Sequence, residues 1–199
     1  MTSARSVRSL LALVLLSGLG FAACGGGASY SGTPAKTWLT SVCGALAGYQ
    51  TQLASRTTSF ETATKGFTSL DQARSGLQAY IHQAVQETDK VIGQVHSAGQ
   101  PAVKDGSQIA GGLASGFSEV RAAFSQAEAQ AGAISITSAT AFEHSAQMIS
   151  TELTNAANQA GTTFTNLDKK YPSPELSKNA KQVPACGTIF STPPKQPAK

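Results

Sequence analysis

Residues 69–101 read SLDQARSGLQAYIHQAVQETDKVIGQVHSAGQP, and this stretch indicates the fold class of the whole chain. Its apolar residues recur every three or four positions, which is the spacing of a helix and not that of a strand. Ser69 and Gln72 are spaced as a capping box at the start of that helix. Gly99 and Pro101 form a stop signal at its end. The stretch therefore predicts one long amphipathic helix with both ends marked.

Three further segments show the same helical spacing of apolar residues. The first begins at Thr37, another extends from Ile109 to Ala131, and the last starts near Ser138 and ends at Tyr171. Amphipathic segments joined by short links are typical of helical bundles. Since no segment has convincing strand patterning, the sequence predicts an all-α fold, an up-down-up-down four-helix bundle.

The N-terminal segment has the pattern of an export signal. Arg5 and Arg8 precede an unbroken apolar run, LLALVLL at residues 10–16, and small residues follow it. A positive start, a short apolar centre and a small-residue cleavage site define a secretory signal peptide. The run is shorter than the roughly 20 apolar residues that a membrane span needs. We therefore expect residues 1–23 to be a signal peptide.

Ala22-Ala23-Cys24 resembles the lipobox of bacterial lipoproteins, with Phe21 in place of the usual leucine-like residue. In that family the cysteine thiol receives a diacylglycerol and the signal is cut before it. The resemblance implies that Cys24 is lipidated and that the protein is anchored at the outer face of the cell membrane. Ordinary secretion, with cleavage after Ala22 or Ala23, is the alternative.

The composition of the remaining chain suggests three regions. Residues 24–36 are small and polar and are interrupted by a proline, which predicts a flexible, lipidated tether. Residues 37–190 contain the helical segments and form the expected bundle domain. Residues 191–199 are rich in proline and lysine, which predicts a disordered tail.

Cys43 and Cys186 remain once Cys24 is assigned to the lipid. Export would place them in an oxidising compartment, where disulfides persist. An up-down-up-down bundle also brings the two ends of the domain to the same end of the molecule. We therefore predict a Cys43–Cys186 disulfide that holds the C-terminal segment against the first helix. Two free buried thiols are the alternative.

A second resemblance extends over most of the chain after the signal. It is based on Trp38 with Val42-Cys43, on Gly99-Gln100-Pro101 and on Pro184-Ala185-Cys186. In these features the chain resembles small helical lipoproteins exported by actinobacteria. The resemblance implies a cell-surface location and supplies no catalytic residue.

The charge of the chain does not point to nucleic acid. The full sequence has a net charge of +4, from 15 basic and 11 acidic side chains. Arg5 and Arg8 would leave with the signal, which lowers the net charge to about +2, and no arginine-rich face with interleaved aromatic residues is present. We expect the partners to be the membrane, through the lipid, and an envelope protein or the cell wall.

Residue patterns that support catalysis or metal binding are missing from the sequence. His82 and His96 are about 21 Å apart along one predicted helix, and His144 lies beside Glu143, so that their side chains point apart. No Glu-x-x-His pair, Gly-x-Ser-x-Gly elbow or phosphate-binding loop occurs. We expect a non-catalytic protein without a cofactor or a bound metal.

Two binding functions are compatible with this sequence. The sequence favours the first, in which the bundle is an interaction or structural module of the cell envelope, and a closed core would support it. In the second, the bundle carries a small apolar ligand, which a pocket lined by Phe117, Phe124, Phe142 and Phe164 would favour. Plain core packing is the other interpretation of these four phenylalanines.

Overall fold

The computed structural model describes residues 29–191, and six helices contain most of them. They are α1 (Ala35–Thr64), α2 (Leu70–Ala98), α3 (Gly106–Gly132), α4 (Ala139–Lys170), α5 (Pro174–Ala180) and α6 (Pro184–Ser191). The predicted all-α class is confirmed, and the one β-bridge among the described residues is isolated. The predicted signal peptide, Cys24 and residues 192–199 lie outside the described residues.

The ends of the helices follow their local sequence signals. The Ser69 hydroxyl accepts a 3.2 Å hydrogen bond from the Gln72 backbone N–H, and Ser138 caps α4 in the same way. Gly99 ends α2 with a φ of 69°, a conformation that glycine adopts without a steric penalty. The side chain of Gln72 accepts from the backbone N–H of Thr68, one residue before the cap. These predicted helix ends are confirmed.

Helix α1 is longer than its apolar pattern indicates, because that pattern fades between Arg56 and Ser59. The hydroxyl groups in this part of the helix donate to backbone carbonyls four residues earlier, for example from Thr57 to Leu53 at 2.9 Å. Beyond it, the ring of Phe60 stacks on that of Tyr80 in α2 at 4.8 Å between centroids. Tertiary packing therefore stabilises a segment with little periodicity of its own.

The four long helices pack mainly against their neighbours in the chain. Helix α2 contacts both α1 and α3, and α3 contacts α4. The short helices α5 and α6 pack on α1. Among the described helices, α1 and α4 share no extensive interface. Among residues 29–191, this leaves one side of the domain open.

The chain enters the domain beside the connection between α2 and α3. The backbone N–H of Thr33 donates to the Gln100 carbonyl at 2.8 Å, and the N–H of Ala102 donates to the Thr33 carbonyl at 2.8 Å. Helix α1 then begins at Ala35. Within the described residues, tertiary contacts and α1 therefore begin before Thr37, in part of the segment that we expected to be a tether.

The predicted disulfide is present. Cys43 in α1 and Cys186 in α6 are bonded, with Cα atoms 5.0 Å apart, which is within the usual range for a disulfide. Both cysteines are buried in a cluster that includes Trp38, Val42 and Val183. The disulfide therefore holds α6 on the first turns of α1.

Glycines in α3 allow α4 to approach closely. A Cβ atom at Gly112 would overlap the Leu167 side chain, and one at Gly116 would overlap the ring of Phe164. A Cβ atom at Gly111 would meet open space. Gly112 and Gly116 therefore receive two large side chains of α4.

Candidate functional site

The open side of the domain contains an apolar groove of about 850 Å³. Parts of all four long helices line it. Its large apolar side chains are half-buried, except for Ile81 and Ile149 in the floor, which are buried. The lining residues are Phe60, Thr64, Phe67, Ala73, Leu77, Tyr80, Ile81, Phe124, Phe142, Glu143, Ala146, Gln147, Ile149, Ser150, Leu153, Thr154 and Ala157.

Aromatic rings from α1 and α2 form one wall of the groove. Phe60 lies between Phe67, at 6.4 Å between centroids, and Tyr80, at 4.8 Å. The Tyr80 hydroxyl is 2.9 Å from that of Thr57, so its polar atom has a partner outside the groove. Because that hydroxyl is satisfied, the ring of Tyr80 offers the groove an apolar face.

Helix α4 supplies the opposite wall, with two parallel stripes. Its apolar stripe consists of Phe142, Ala146, Ile149, Leu153 and Ala157, at helical spacings of three and four residues. Its polar stripe consists of Glu143, Gln147, Ser150 and Thr154, which are exposed. The groove therefore has an apolar floor and one polar rim.

Two of the four phenylalanines that we considered as pocket residues line the groove. Phe124 and Phe142 do so. Phe117 is buried, with its ring at 5.3 Å from that of Phe164 and at 5.8 Å from that of Tyr49. Phe117 and Phe164 therefore belong to the packed core, which corrects that part of the hypothetical lining.

Phe60, Phe67 and Tyr80 are the aromatic residues of the groove that the sequence patterns did not indicate as pocket residues. Phe60 and Phe67 come after the point where the apolar pattern of α1 fades, and Tyr80 lies beside the clear stripe of α2. Phe60 and Phe67 are seven residues apart, a spacing that places two residues on one helix face, and this is the sequence signal that could have paired them. The spacing does not indicate that α4 lies opposite them.

A buried carboxylate joins α1 to α2 outside the groove. The side chain of Glu87 is 6% exposed and accepts hydrogen bonds from Arg56 and, at 3.0 Å, from Lys90. The Arg56 side chain also donates to Gln83 at 2.8 Å. Hydrogen bonds from the two cations hold the pKa of Glu87 below its ordinary value. This cluster ties the two helices together.

A smaller cavity of about 150 Å³ lies beside this cluster, between α1 and α2. Gly44, Gly48 and Tyr49 line it from α1, and Glu87 and Lys90 line it from α2. Burial raises the pKa of Tyr49, whose hydroxyl is 3.0 Å from that of Thr88. This volume is below the range of ligand pockets, which is roughly 300–1,000 Å³.

The histidines lie apart from each other. His82 of α2 is 2.8 Å from the Glu128 carboxylate of α3, while His96 and His144 are exposed on α2 and α4. Within residues 29–191, no three His, Cys, Asp or Glu side chains are grouped as a metal site would require. In the same range, no helix has both the length and the hydropathy of a membrane span.

Together, the fold and the groove define an all-helical domain with a disulfide at one end of α1 and an apolar groove at the other. No protein-family model, no curated protein sequence and no solved structure matches the chain. The interpretation of the site is therefore based on its own geometry.

Proposed function

We propose that the protein is a non-catalytic binding module of the cell envelope, lipid-anchored through Cys24, which holds a small apolar ligand in its groove. The observation that carries this proposal is the groove, with its half-buried aromatic and aliphatic lining. Its volume is in the range of ligand pockets, which is roughly 300–1,000 Å³.

The proposal includes an up-down-up-down order of the four long helices. Two contacts support it for each pair of consecutive helices, because the residue number rises in one helix as it falls in the other. Tyr49–Thr88 and Thr57–Tyr80 join α1 to α2, and His82–Glu128 and Asp89–Arg121 join α2 to α3. Gly112–Leu167 and Gln130–Glu152 join α3 to α4. Consecutive helices of opposite direction leave α1 and α4 as the two outer members that face each other across the groove.

Apolar burial provides the driving force for binding. Phe60, Tyr80 and Phe124 are half-buried around one concave surface, whereas phenylalanines of a closed core would be buried on all sides. A ligand that covers these rings removes apolar area from water, which contributes about 25 cal/mol per Å². The groove therefore favours the ligand-carrier interpretation over a purely structural module.

The open side of the groove supports a second candidate function, as an interaction module for an envelope protein. A groove with an apolar floor and a polar rim can accept an amphipathic helix, which buries one face and leaves the other in water. The two candidates differ in their ligand, and the same groove would serve both.

The groove lies far from the proposed anchor. The chain enters at Thr33, next to the disulfide-linked end of α1, whereas Phe60 lies 17 residues beyond Cys43. At 1.5 Å per residue, this separates the groove from the disulfide by about 25 Å. The groove thus lies at the end of the domain away from the tether.

Binding of the neutral fluorophore N-phenyl-1-naphthylamine tests the proposed function. The protein would be exported as the Cys24→Ser variant and purified without detergent, because detergent would compete for an apolar site. We expect saturable binding with enhanced fluorescence. Ser150→Trp, at the rim of the groove, should fill the site and reduce the affinity by tenfold or more.

Thr151→Trp is the matched control, since Thr151 is the next residue on α4, is exposed and does not line the groove. This variant should bind the fluorophore as the parent protein does. A parent protein that binds no fluorophore would contradict the ligand-carrier proposal. Equal loss in both tryptophan variants would place the binding outside the groove.

A further inference from the structure

The groove is longer along α4 than along α2. Its lining on α4 extends from Phe142 to Ala157, and its lining on α2 extends from Ala73 to Ile81. At 1.5 Å per residue these stretches are about 22 Å and 12 Å long. The groove, with a volume of about 850 Å³, is therefore elongated along α4. An elongated groove fits an extended chain better than a compact ring system.

The lining also restricts the charge of the ligand. Among the described residues that line the groove, Glu143 is the one charged side chain, and it is exposed on the rim. The rest of the polar rim consists of amide and hydroxyl groups, from Gln147, Ser150 and Thr154. A carboxylate or phosphate head group at this rim would meet a like charge without a lining cation to pair with. Hydroxyl head groups would find both donors and acceptors there.

The chain's own C-terminal segment is a poor occupant. Residues 192–199 read TPPKQPAK and contain no large apolar side chain. The preceding helix α6 is linked to Cys43, about 25 Å from the groove. A separate ligand therefore explains the half-buried aromatic lining better than this segment does.

We infer that the groove binds one linear alkyl chain that ends in an uncharged, hydroxyl-bearing head group. The inference depends on the proposed function and narrows its ligand class. The alkyl chain lies along the apolar stripe of α4 and covers the rings of Phe60, Tyr80 and Phe124. The hydroxyl group lies at the rim, beside Gln147, Ser150 or Thr154.

Displacement of the fluorophore by primary alcohols tests the shape of the ligand. Octanol, decanol, dodecanol and tetradecanol would be compared on the detergent-free Cys24→Ser protein, with direct calorimetry as a second measurement. Each methylene group that enters the groove should raise the affinity about fourfold. The increase should stop when the chain is longer than the groove. A compact neutral ring compound with as many carbon atoms as dodecanol should bind more weakly.

Comparison of dodecanol with dodecanoate at neutral pH tests the head group. The acid should bind about fivefold more weakly, since it brings a charge next to exposed Glu143. Glu143→Gln should reduce this difference. Glu175→Gln, which removes an equally exposed charge from α5, should leave it unchanged.

The outcomes separate this inference from the proposed function. Fluorophore binding with no dependence on alcohol length, or equal affinity for the ring compound, overturns the alkyl-chain inference and leaves the apolar-ligand function in place. Tighter binding of dodecanoate than of dodecanol overturns the assignment of the head group. Absence of binding by the fluorophore and by every alcohol in calorimetry overturns both.

Discussion

The indole Nε1 of Trp38 in α1 donates a 2.8 Å hydrogen bond to the backbone carbonyl of Gly99, the residue that ends α2. Trp38 is 4% exposed and lies in the cluster around the disulfide. One side chain thus fixes the start of α1 to the end of α2, and its apolar ring also fills the core beneath α6.

Trp38→Phe should lower the free energy of unfolding by about 1–3 kcal/mol, because it removes the hydrogen bond to Gly99 and leaves part of the indole volume empty. Urea unfolding followed by circular dichroism measures this change, since the variant lacks the chain's one tryptophan. Tyr30→Phe, at a 43% exposed position, is the control and should change little. A decrease in the free energy of unfolding of less than about 0.5 kcal/mol would contradict the role of this hydrogen bond.

Replacement of both cysteines, Cys43→Ala with Cys186→Ala, should lower the free energy of unfolding by about 5 kcal/mol, the chain-entropy value for a sequence separation of 143. Circular dichroism should still show a helical protein, because the long helices are stabilised by their own packing. Hydrogen exchange should become fastest in α6, which loses its covalent link. Unchanged protection of α6 would show that the disulfide does not hold this helix.

The stability of the protein should depend on pH through Glu87. Hydrogen bonds from Arg56 and Lys90 lower the pKa of this carboxyl in the folded protein from its ordinary value of 4.5. The charged carboxylate therefore stabilises the fold above about pH 4.5, and this contribution is lost as the pH falls through the lower folded pKa. Urea unfolding at a series of pH values would measure it.

Glu87→Gln should remove this part of the acid dependence. It should also lower the free energy of unfolding at neutral pH, since Arg56 loses its anionic partner. Glu61→Gln, at an exposed position on α1, is the control and should retain it. Equal acid profiles for the parent protein and Glu87→Gln would contradict the assignment to Glu87.

Two glycines of α3 should respond in opposite ways to alanine. Gly116→Ala should destabilise the protein by about 1–3 kcal/mol, because its methyl group would overlap the Phe164 ring. Gly111→Ala meets open space and should stabilise the helix by up to about 1 kcal/mol. Thermal unfolding of the two variants compares the effects directly. A stabilising Gly116→Ala would show that α4 does not pack closely at this point.

Cys24→Ser should release the protein from the membrane without altering its fold. A lipidated cysteine carries two or three acyl chains, and two already provide stable anchoring. Fractionation of cells that produce the parent or the variant protein tests this expectation. A Cys24→Ser protein that remains with the membrane after high-salt washing would contradict the lipoprotein assignment.

The sequence alone determined the four long helices and most of their ends, because these depend on residues within one or two turns of each other. Ser69, Gly99 and Ser138 act on backbone groups of their own helix, so their roles can be read from the local sequence. The Cys43–Cys186 pair was predicted on the hypothesis that the chain is exported and that Cys24 carries a lipid, because two cysteines then remain and allow one pairing.

Only the tertiary structure decided which side chains the helices bring together. Phe60 meets Tyr80, and Phe67 lies against Gly76, whereas the wall opposite them comes from α4, some eighty residues further along the chain. Phe117 and Phe124 belong to the same helix stripe, yet one is buried in the core and the other lines the groove. Apolar periodicity specifies the face that a helix buries. The separation of α1 from α4 depends instead on packing between residues distant in sequence, and that separation creates the groove.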